Sequence, residues 1–366
     1  MNFQISIIFL LALKPFDSSS IHLNRTTLLE YYPNITENAQ KNIFLTSKKI
    51  ESVDFQTFNG LSHISILHLD SNLISSLDYR TLSGLTSLEL LDLSNNNLTA
   101  LDFRLFYGLP FLKKLILYSN QLTSIDSRTF NGLTSLNSLD LEFNRLNKIQ
   151  IGLFDGLNNL QGLSLAGNEL VNLDSGIFKD LINLNELKLN KNQLENIGSF
   201  VFISLTSLNS LILSENKLGS LDADLFSNLA SLSELYLDYN QIKSISPGLF
   251  RSNVNLEVLY LSFNKIAQIA QIEPFTFSSL VSLKDLTLNN NQLRSIDAGV
   301  FKGLSSLDQL ELQRNRLTSI SRNVFVGLDS LRWVYLGGNP ISLMQESLVL
   351  GLCYTNPSCN IYLQTF

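Results

Sequence analysis

Cysteine is almost absent from this chain. Of 366 residues only Cys353 and Cys359 are cysteines, both near the C-terminus. A core stapled by disulfides is therefore excluded, and so are the cysteine spacings of a structural zinc site. Histidine is scarce as well, with His22, His63 and His68 the only three. No H-E-x-x-H, phosphate-cradling G-x-x-x-x-G-K or nucleophile-elbow pattern is present, so no enzyme class and no cofactor is indicated. Charged residues make up 16% of the chain, the net charge is −6 and lysines and arginines form no run. Phosphate binding needs a basic stripe, which argues against a nucleic-acid partner and against polybasic membrane attachment. No apolar stretch is long enough for a transmembrane segment. A hydrophobic content of 45% nevertheless excludes a disordered chain.

The N-terminal end carries a processing signal. Ile5 to Leu13 (ISIIFLLAL) has the length and apolarity of a signal h-region, although no basic residue precedes it and Lys14-Pro15 follows at once. Residues 1–20 are expected to be a signal peptide, which places the protein outside the cell, secreted. Three N-glycosylation sequons agree with that compartment, at Asn24, Asn34 and Asn97, though they carry little weight in an asparagine-rich chain. In an oxidising compartment Cys353 and Cys359 could close a small loop. Sequence leaves a disulfide and two free thiols equally open, because geometry decides. The segment Asn360 to Phe366 has no apolar tail for a lipid anchor.

What the chain has in abundance is asparagine at a fixed interval. Asn72, Asn96, Asn120, Asn144, Asn168, Asn192, Asn216, Asn240 and Asn264 recur every 24 residues; Asn291 follows after 27, then Asn315 and Asn339 after 24 each. Around each runs L-x-x-L-x-L-x-x-N-x-L, as in Leu136, Leu139, Leu141, Asn144 and Leu146. A degenerate first unit has Ile43, Leu45 and Ile50 in place but Lys48 where the asparagine belongs, giving about thirteen units. A chain of this length would ordinarily split into two domains, but a solenoid grows along one axis without that limit.

Each repeat position has a physical reason. The L-x-L pair alternates with polar residues as a half-buried strand does, and so short a strand must stack on its neighbours. A buried amide without partners would cost about 1–3 kcal/mol, so the asparagines imply a ladder bonded to backbone groups of successive turns. Ten residues past most asparagines comes a phenylalanine: Phe106, Phe130, Phe154, Phe178, Phe202, Phe226, Phe250, Phe301 and Phe325, with Phe58 in register and Leu82 as a substitute. These are expected to stack as an aromatic spine on the side away from the strands.

The pattern resembles the 24-residue typical class of extracellular leucine-rich repeats, found in Toll-like receptor ectodomains, Slit and the small leucine-rich matrix proteoglycans. The resemblance implies an α/β-type solenoid, a horseshoe with a parallel β-sheet on its concave face and irregular or short helical turns on its convex face. It covers residues 43–341. It implies ligand binding on the concave face or the lateral edges. The ends depart from the family, whose caps are usually cysteine-rich. Residues 21–42 are expected to form a cysteine-free N-terminal cap, and residues 342–366 a C-terminal cap or tail. Whether Phe366 is a natural end stays open.

Function is read from the exposed lane between the strand leucines: Phe44, His68, Asp92, Ile116, Asp140, Ser164, Lys188, Ile212, Tyr236, Tyr260, Thr287, Glu311 and Tyr335. Tyr236 and Tyr260 are neighbours with no core to fill, flanked by Glu234 and Asp238, as suits a protein-binding hot spot. Tyr239 and Phe263 lie in a further lane; they are counted with the candidate ligand-binding residues, although aromatics in that lane often pack at strand ends. Trp333 and Tyr335 form a second candidate. His68 with Asp70 and Asp92 looks most like a catalytic or metal group, but is read as a solvated polar patch, and no residue is assigned a metal. The expected function is a secreted binding module for an extracellular protein or glycan; the alternative is the ectodomain of a Toll-like receptor. Ile266-Ala267-Gln268 followed by Ile269-Ala270-Gln271 accounts for the 27-residue unit and reads as a neutral duplication.

Overall fold

The computed structural model describes residues 20–36, 40–246, 248–267, 276–341 and 360–362. The expected signal segment, Cys353, Cys359 and most of the duplicated stretch lie outside these residues.

Each 24-residue unit contributes one three-residue strand. In chain order they are β2 (Asn42–Phe44), β4 (Ile66–His68), β5 (Leu90–Asp92), β6 (Lys114–Ile116), β7 (Ser138–Asp140), β8 (Gly162–Ser164) and β9 (Glu186–Lys188). The series continues with β10 (Ser210–Ile212), β11 (Glu234–Tyr236), β12 (Val258–Tyr260), β13 (Asp285–Thr287), β14 (Gln309–Glu311) and β15 (Trp333–Tyr335). A last strand, β16 (Asn360–Tyr362), extends the sheet to 14 strands, one beyond the expected number. All pairings are parallel and in sequence order, with the central leucines in line, as in Leu211 opposite Leu187 and Leu235. The central residue of every repeat strand is buried because it faces the core. The residue after it, in the lane read above, is mostly half-buried: strands about 4.8 Å apart pack their outward side chains against one another.

The asparagines bridge successive turns. The Asn168 side chain accepts from Leu146 N–H (3.0 Å) and donates to the carbonyls of Leu141 (3.0 Å), Leu165 (3.0 Å) and Ala166 (3.2 Å). Asn72 serves the first unit in the same way, accepting from Lys48 and Ile50 N–H. An asparagine thus satisfies the turn before its own, which is why the first unit, having no such turn ahead of it, can carry Lys48. Asn291 still reaches Ile266 N–H (3.0 Å) and Leu261 O (2.9 Å), so the three extra residues leave the ladder unbroken. The residue before each ladder asparagine turns the chain inward with positive φ, 52–57° at ten positions from Ser71 to Arg314, with Gly167 and Gly338 at the other two.

On the opposite side the phenylalanines stack at about 6 Å between ring centres, as in Phe154–Phe178 (6.1 Å) and Phe178–Phe202 (6.3 Å). Phe277, absent from the 24-residue reading, belongs to this spine: it is fully buried between Phe250 and Phe301. The longer unit displaces it by three positions. Phe325, the last residue of the 3-10 helix Arg322–Phe325, is only half-buried.

At the N-terminal end, β1 (Ile21–Leu23) pairs with β3 (Ile50–Val53), and α1 (Arg25–Tyr31) follows with Asn24 as its N-cap. Leu23, Leu28 and Ile35 continue the core. The open edge of β2 is met by a single hydroxyl: Tyr32 Oη accepts from Phe44 N–H (2.6 Å) and donates to Phe44 O (3.0 Å). Burial pushes the Tyr32 phenol above its ordinary range. Arg25 donates to Thr57 O (3.0 Å) and the Thr57 hydroxyl to Leu23 O (3.1 Å). Hydrogen bonds and apolar packing hold this segment on the first repeat, without cysteine.

Candidate functional site

Parallel register builds the site. With β11 and β12 adjacent, Tyr236 stands directly opposite Tyr260, and Val258 opposite Asp285 of β13. The two tyrosine rings meet edge to face, 5.1 Å between centres at 85°. Tyr236 Oη donates to Glu234 Oε2 (3.3 Å) and Tyr260 Oη to Asp285 Oδ2 (3.2 Å). Partial burial and the neighbouring carboxylates raise both phenols, Tyr260 to about 12. Asp285 is itself raised, chiefly by burial. Glu234 also accepts from the Ser210 hydroxyl (3.1 Å), and Asp238 from the Ser214 hydroxyl (2.6 Å). The carboxylates are thereby fixed before any ligand arrives, which lowers the ordering cost of binding.

Tyr239 and Phe263 differ from the packing expectation. They are 51% and 38% exposed and stacked face to face at 4.2 Å, 7° between planes. Both sit at the inward turn with φ +53°. Other repeats place polar residues such as Lys191, Glu215 and Arg314 at this left-handed position, so it lies at the surface, and bulky residues seldom adopt it. Two aromatic pairs thus occupy the same two repeats.

Trp333 and Tyr335 are half-buried, as Tyr236 and Tyr260 are, and carry a third ring. Tyr362 of β16 stacks on both, with ring centres 6.0 and 5.1 Å away. His68, Asp70 and Asp92 do come together, His68 Nδ1 lying 3.3 Å from Asp70 Oδ1 and 3.4 Å from Asp92 Oδ2. They are not a fully solvated patch: the side chains are only 25%, 14% and 13% exposed, and Phe44 stacks on the imidazole at 5.2 Å. Of the sequons, Asn34 is exposed, whereas Asn24 and Asn97 are half-buried.

Two features escaped the sequence reading. Asp285 occupies the lane of Glu234, but only once 27 residues rather than 24 are counted back to Val258. On another surface, Arg80, Arg104 and Arg128 lie over the rings of Phe55, Tyr79 and Phe103 at 3.9, 3.8 and 3.9 Å. Each guanidinium also clasps the aspartate two residues before it, holding Asp78, Asp102 and Asp126 down to about 2. The signal was Asp-x-Arg repeating at 24 residues.

Ten overlapping matches to the leucine rich repeat family model run from residue 41 to residue 341. The chain belongs to the leucine-rich-repeat family. Among solved structures, this leucine-rich-repeat chain is similar to one in the TLR13–ssRNA13 complex: 26% identity, TM-score 0.80, covering 93% of this chain and 48% of that one. A chain of the Drosophila Toll–Spatzle complex is 25% identical with a TM-score of 0.81, over 94% and 46%. This chain therefore spans about half the length of those two. An internalin of Listeria monocytogenes shares the fold, with 23% identity and a TM-score of 0.70, over 90% and 88%. No curated protein matches the chain. The leucine-rich-repeat fold is in general a non-enzymatic scaffold for binding. The expectation that nucleic acid is excluded needs correction, since one of these neighbours is a complex with single-stranded RNA and the fold is therefore no bar to it. Among the described residues no helix is long and apolar enough to cross a membrane.

Proposed function

We propose that the chain is a secreted or extracellular binding module whose concave face recognises a protein partner around Tyr236 and Tyr260. The observation that carries this is the doubled aromatic pair on β11 and β12. Four aromatic side chains, Tyr236, Tyr260, Tyr239 and Phe263, are held in contact on two adjacent repeats and at least partly exposed. Rigid aromatics give contact area at low entropic cost, and such residues dominate interface energetics. Glu234, Asp238 and Asp285 make the surroundings acidic, which favours a basic protein surface over RNA or an acidic glycan. The sheet, at about 4.8 Å per strand, is long enough for an interface of standard size.

A second reading rests on the likeness to longer Toll-like chains: the protein acts as a receptor ectodomain, with the same face used for binding. Affinity capture from extracellular fluid tests the proposal, with single-stranded RNA and sulfated glycan as parallel probes. A basic protein that the parent chain retains and the Tyr236→Ala/Tyr260→Ala variant releases supports it. Retention of RNA or glycan alone, or equal capture by both chains, overturns it.

A further inference from the structure

We propose that His68, Asp70 and Asp92 form a divalent transition-metal site, best suited to zinc, on the sheet face near the N-terminal end. The register creates it. His68 of β4 stands directly opposite Asp92 of β5, and Asp70 lies two residues beyond His68, on the same face. One imidazole and two carboxylates therefore converge, their ligand atoms all within 4.8 Å of one another.

The distances favour an ion over direct hydrogen bonds. His68 Nδ1 is 3.3 Å from Asp70 Oδ1 and 3.4 Å from Asp92 Oδ2. A charge-assisted N–H···O bond to one carboxylate would be about 2.7–2.9 Å, shorter than either separation. A tetrahedral ion with metal–nitrogen and metal–oxygen distances of about 2.0–2.2 Å places nitrogen and oxygen about 3.3–3.4 Å apart along each edge. The nitrogen donor disfavours calcium and magnesium, which take oxygen ligands.

The ligands are also held in place. Asp92 Oδ1 accepts from Ser94 N–H (2.9 Å), leaving Oδ2 turned toward His68. Asp70 Oδ1 accepts from the Thr46 hydroxyl (2.8 Å). The Phe44 ring stacks on the imidazole, 5.2 Å between centres, and fixes its plane. Outer contacts of this kind orient metal ligands and tune affinity. With three protein ligands, a fourth position remains for water or for a donor group of a bound partner.

Cobalt(II) as a spectroscopic probe tests the site, using chelator-treated protein in which Cys353 and Cys359 are both replaced by serine. One equivalent of cobalt should give the intense visible absorption of a tetrahedral ion, and one equivalent of zinc should displace it. His68→Ala should abolish the band, and Asp92→Asn, which keeps the side-chain shape, should weaken binding at least tenfold. Thr46→Val, which touches no metal, should weaken it about 10–100-fold. Melting of each metal-free variant close to that of the parent shows that the fold survives. No saturable band at one equivalent, or an unchanged band in folded His68→Ala, overturns the proposal.

Discussion

Replacing Asn168 with alanine removes four hydrogen bonds but strands only one group. Leu141 O keeps the Asn144 amide (3.1 Å), Leu165 O keeps the Asn192 amide (2.9 Å), and Ala166 O keeps Phe143 N–H (2.9 Å). Leu146 N–H has only Asn168 Oδ1, at 3.0 Å, and lies buried. A buried donor left unpaired costs about 1–3 kcal/mol, so Asn168→Ala should destabilise by about that much. Asn168→Asp is the sharper probe. It preserves shape and the acceptor for Leu146, yet sets a buried carboxylate against three carbonyls. It should therefore cost more than alanine near neutral pH, and recover part of the loss on acidification, when the protonated carboxyl again donates. Asn97→Ala, one position past the ladder, loses only a 3.2 Å bond from Gln121 and should melt close to the parent. Thermal melts of the three variants at pH 7 and pH 4 suffice. If Asn168→Asp is the more stable of the two ladder variants at neutral pH, or if Asn97→Ala melts as low as they do, the ladder reasoning fails.

Other consequences are independent of the ladder. Leu213 is fully buried, so Leu213→Ala should cost about 2–5 kcal/mol, whereas Ile212→Ala on the outward lane should cost well below that; equal losses in chemical denaturation would contradict the alternation. Tyr32→Phe leaves the Phe44 backbone without its hydroxyl partner and should lower stability by about 1 kcal/mol with little change in far-ultraviolet circular dichroism. Tyr260 should be among the last tyrosines to ionise, near 12, and is identified by the phenolate absorbance that Tyr260→Phe removes. Its unfolded counterpart ionises near 10, so the stability this residue contributes is present below pH 10 and is lost as the pH rises toward 12. Asp285→Asn should lower the Tyr260 value, though not fully to 10, since burial remains the larger cause.

The fold was legible because a solenoid writes its period directly into the sequence: each leucine of L-x-L faces the same core in every turn. Reading broke down where the period changed. The 27-residue unit hid Phe277 from the spine and Asp285 from the tyrosines, both displaced by three positions. It broke down again where position in the repeat overrides residue type. Tyr239 and Phe263 look like core aromatics by composition, but they sit at the inward turn, a position that other repeats give to polar residues, and are exposed. The His68 cluster was visible as a juxtaposition, because His68 and Asp92 share a register position. Its shielding was not visible, because that depends on the Phe44 ring lying flat against the imidazole. The added strand Asn360–Tyr362 carries no repeat signature at all, which is why the stacking of Tyr362 on Trp333 and Tyr335 was not foreseen.

The central claim is that Tyr236 and Tyr260 form a binding surface rather than a structural one. It is tested most directly by measuring the affinity of the captured partner for Tyr236→Ala/Tyr260→Ala alongside that variant's melting temperature. Both rings lie outside the buried core, and hot-spot residues of this type contribute about 2 kcal/mol or more on truncation. The double variant should therefore bind at least about 30-fold more weakly, with its melting temperature within about 3 °C of the parent's. Asp140→Ala/Glu142→Ala, farther along the same face, should bind within about threefold of the parent. Unchanged affinity in the tyrosine variant, or a loss of affinity that is matched by a collapse in melting temperature, would contradict the claim.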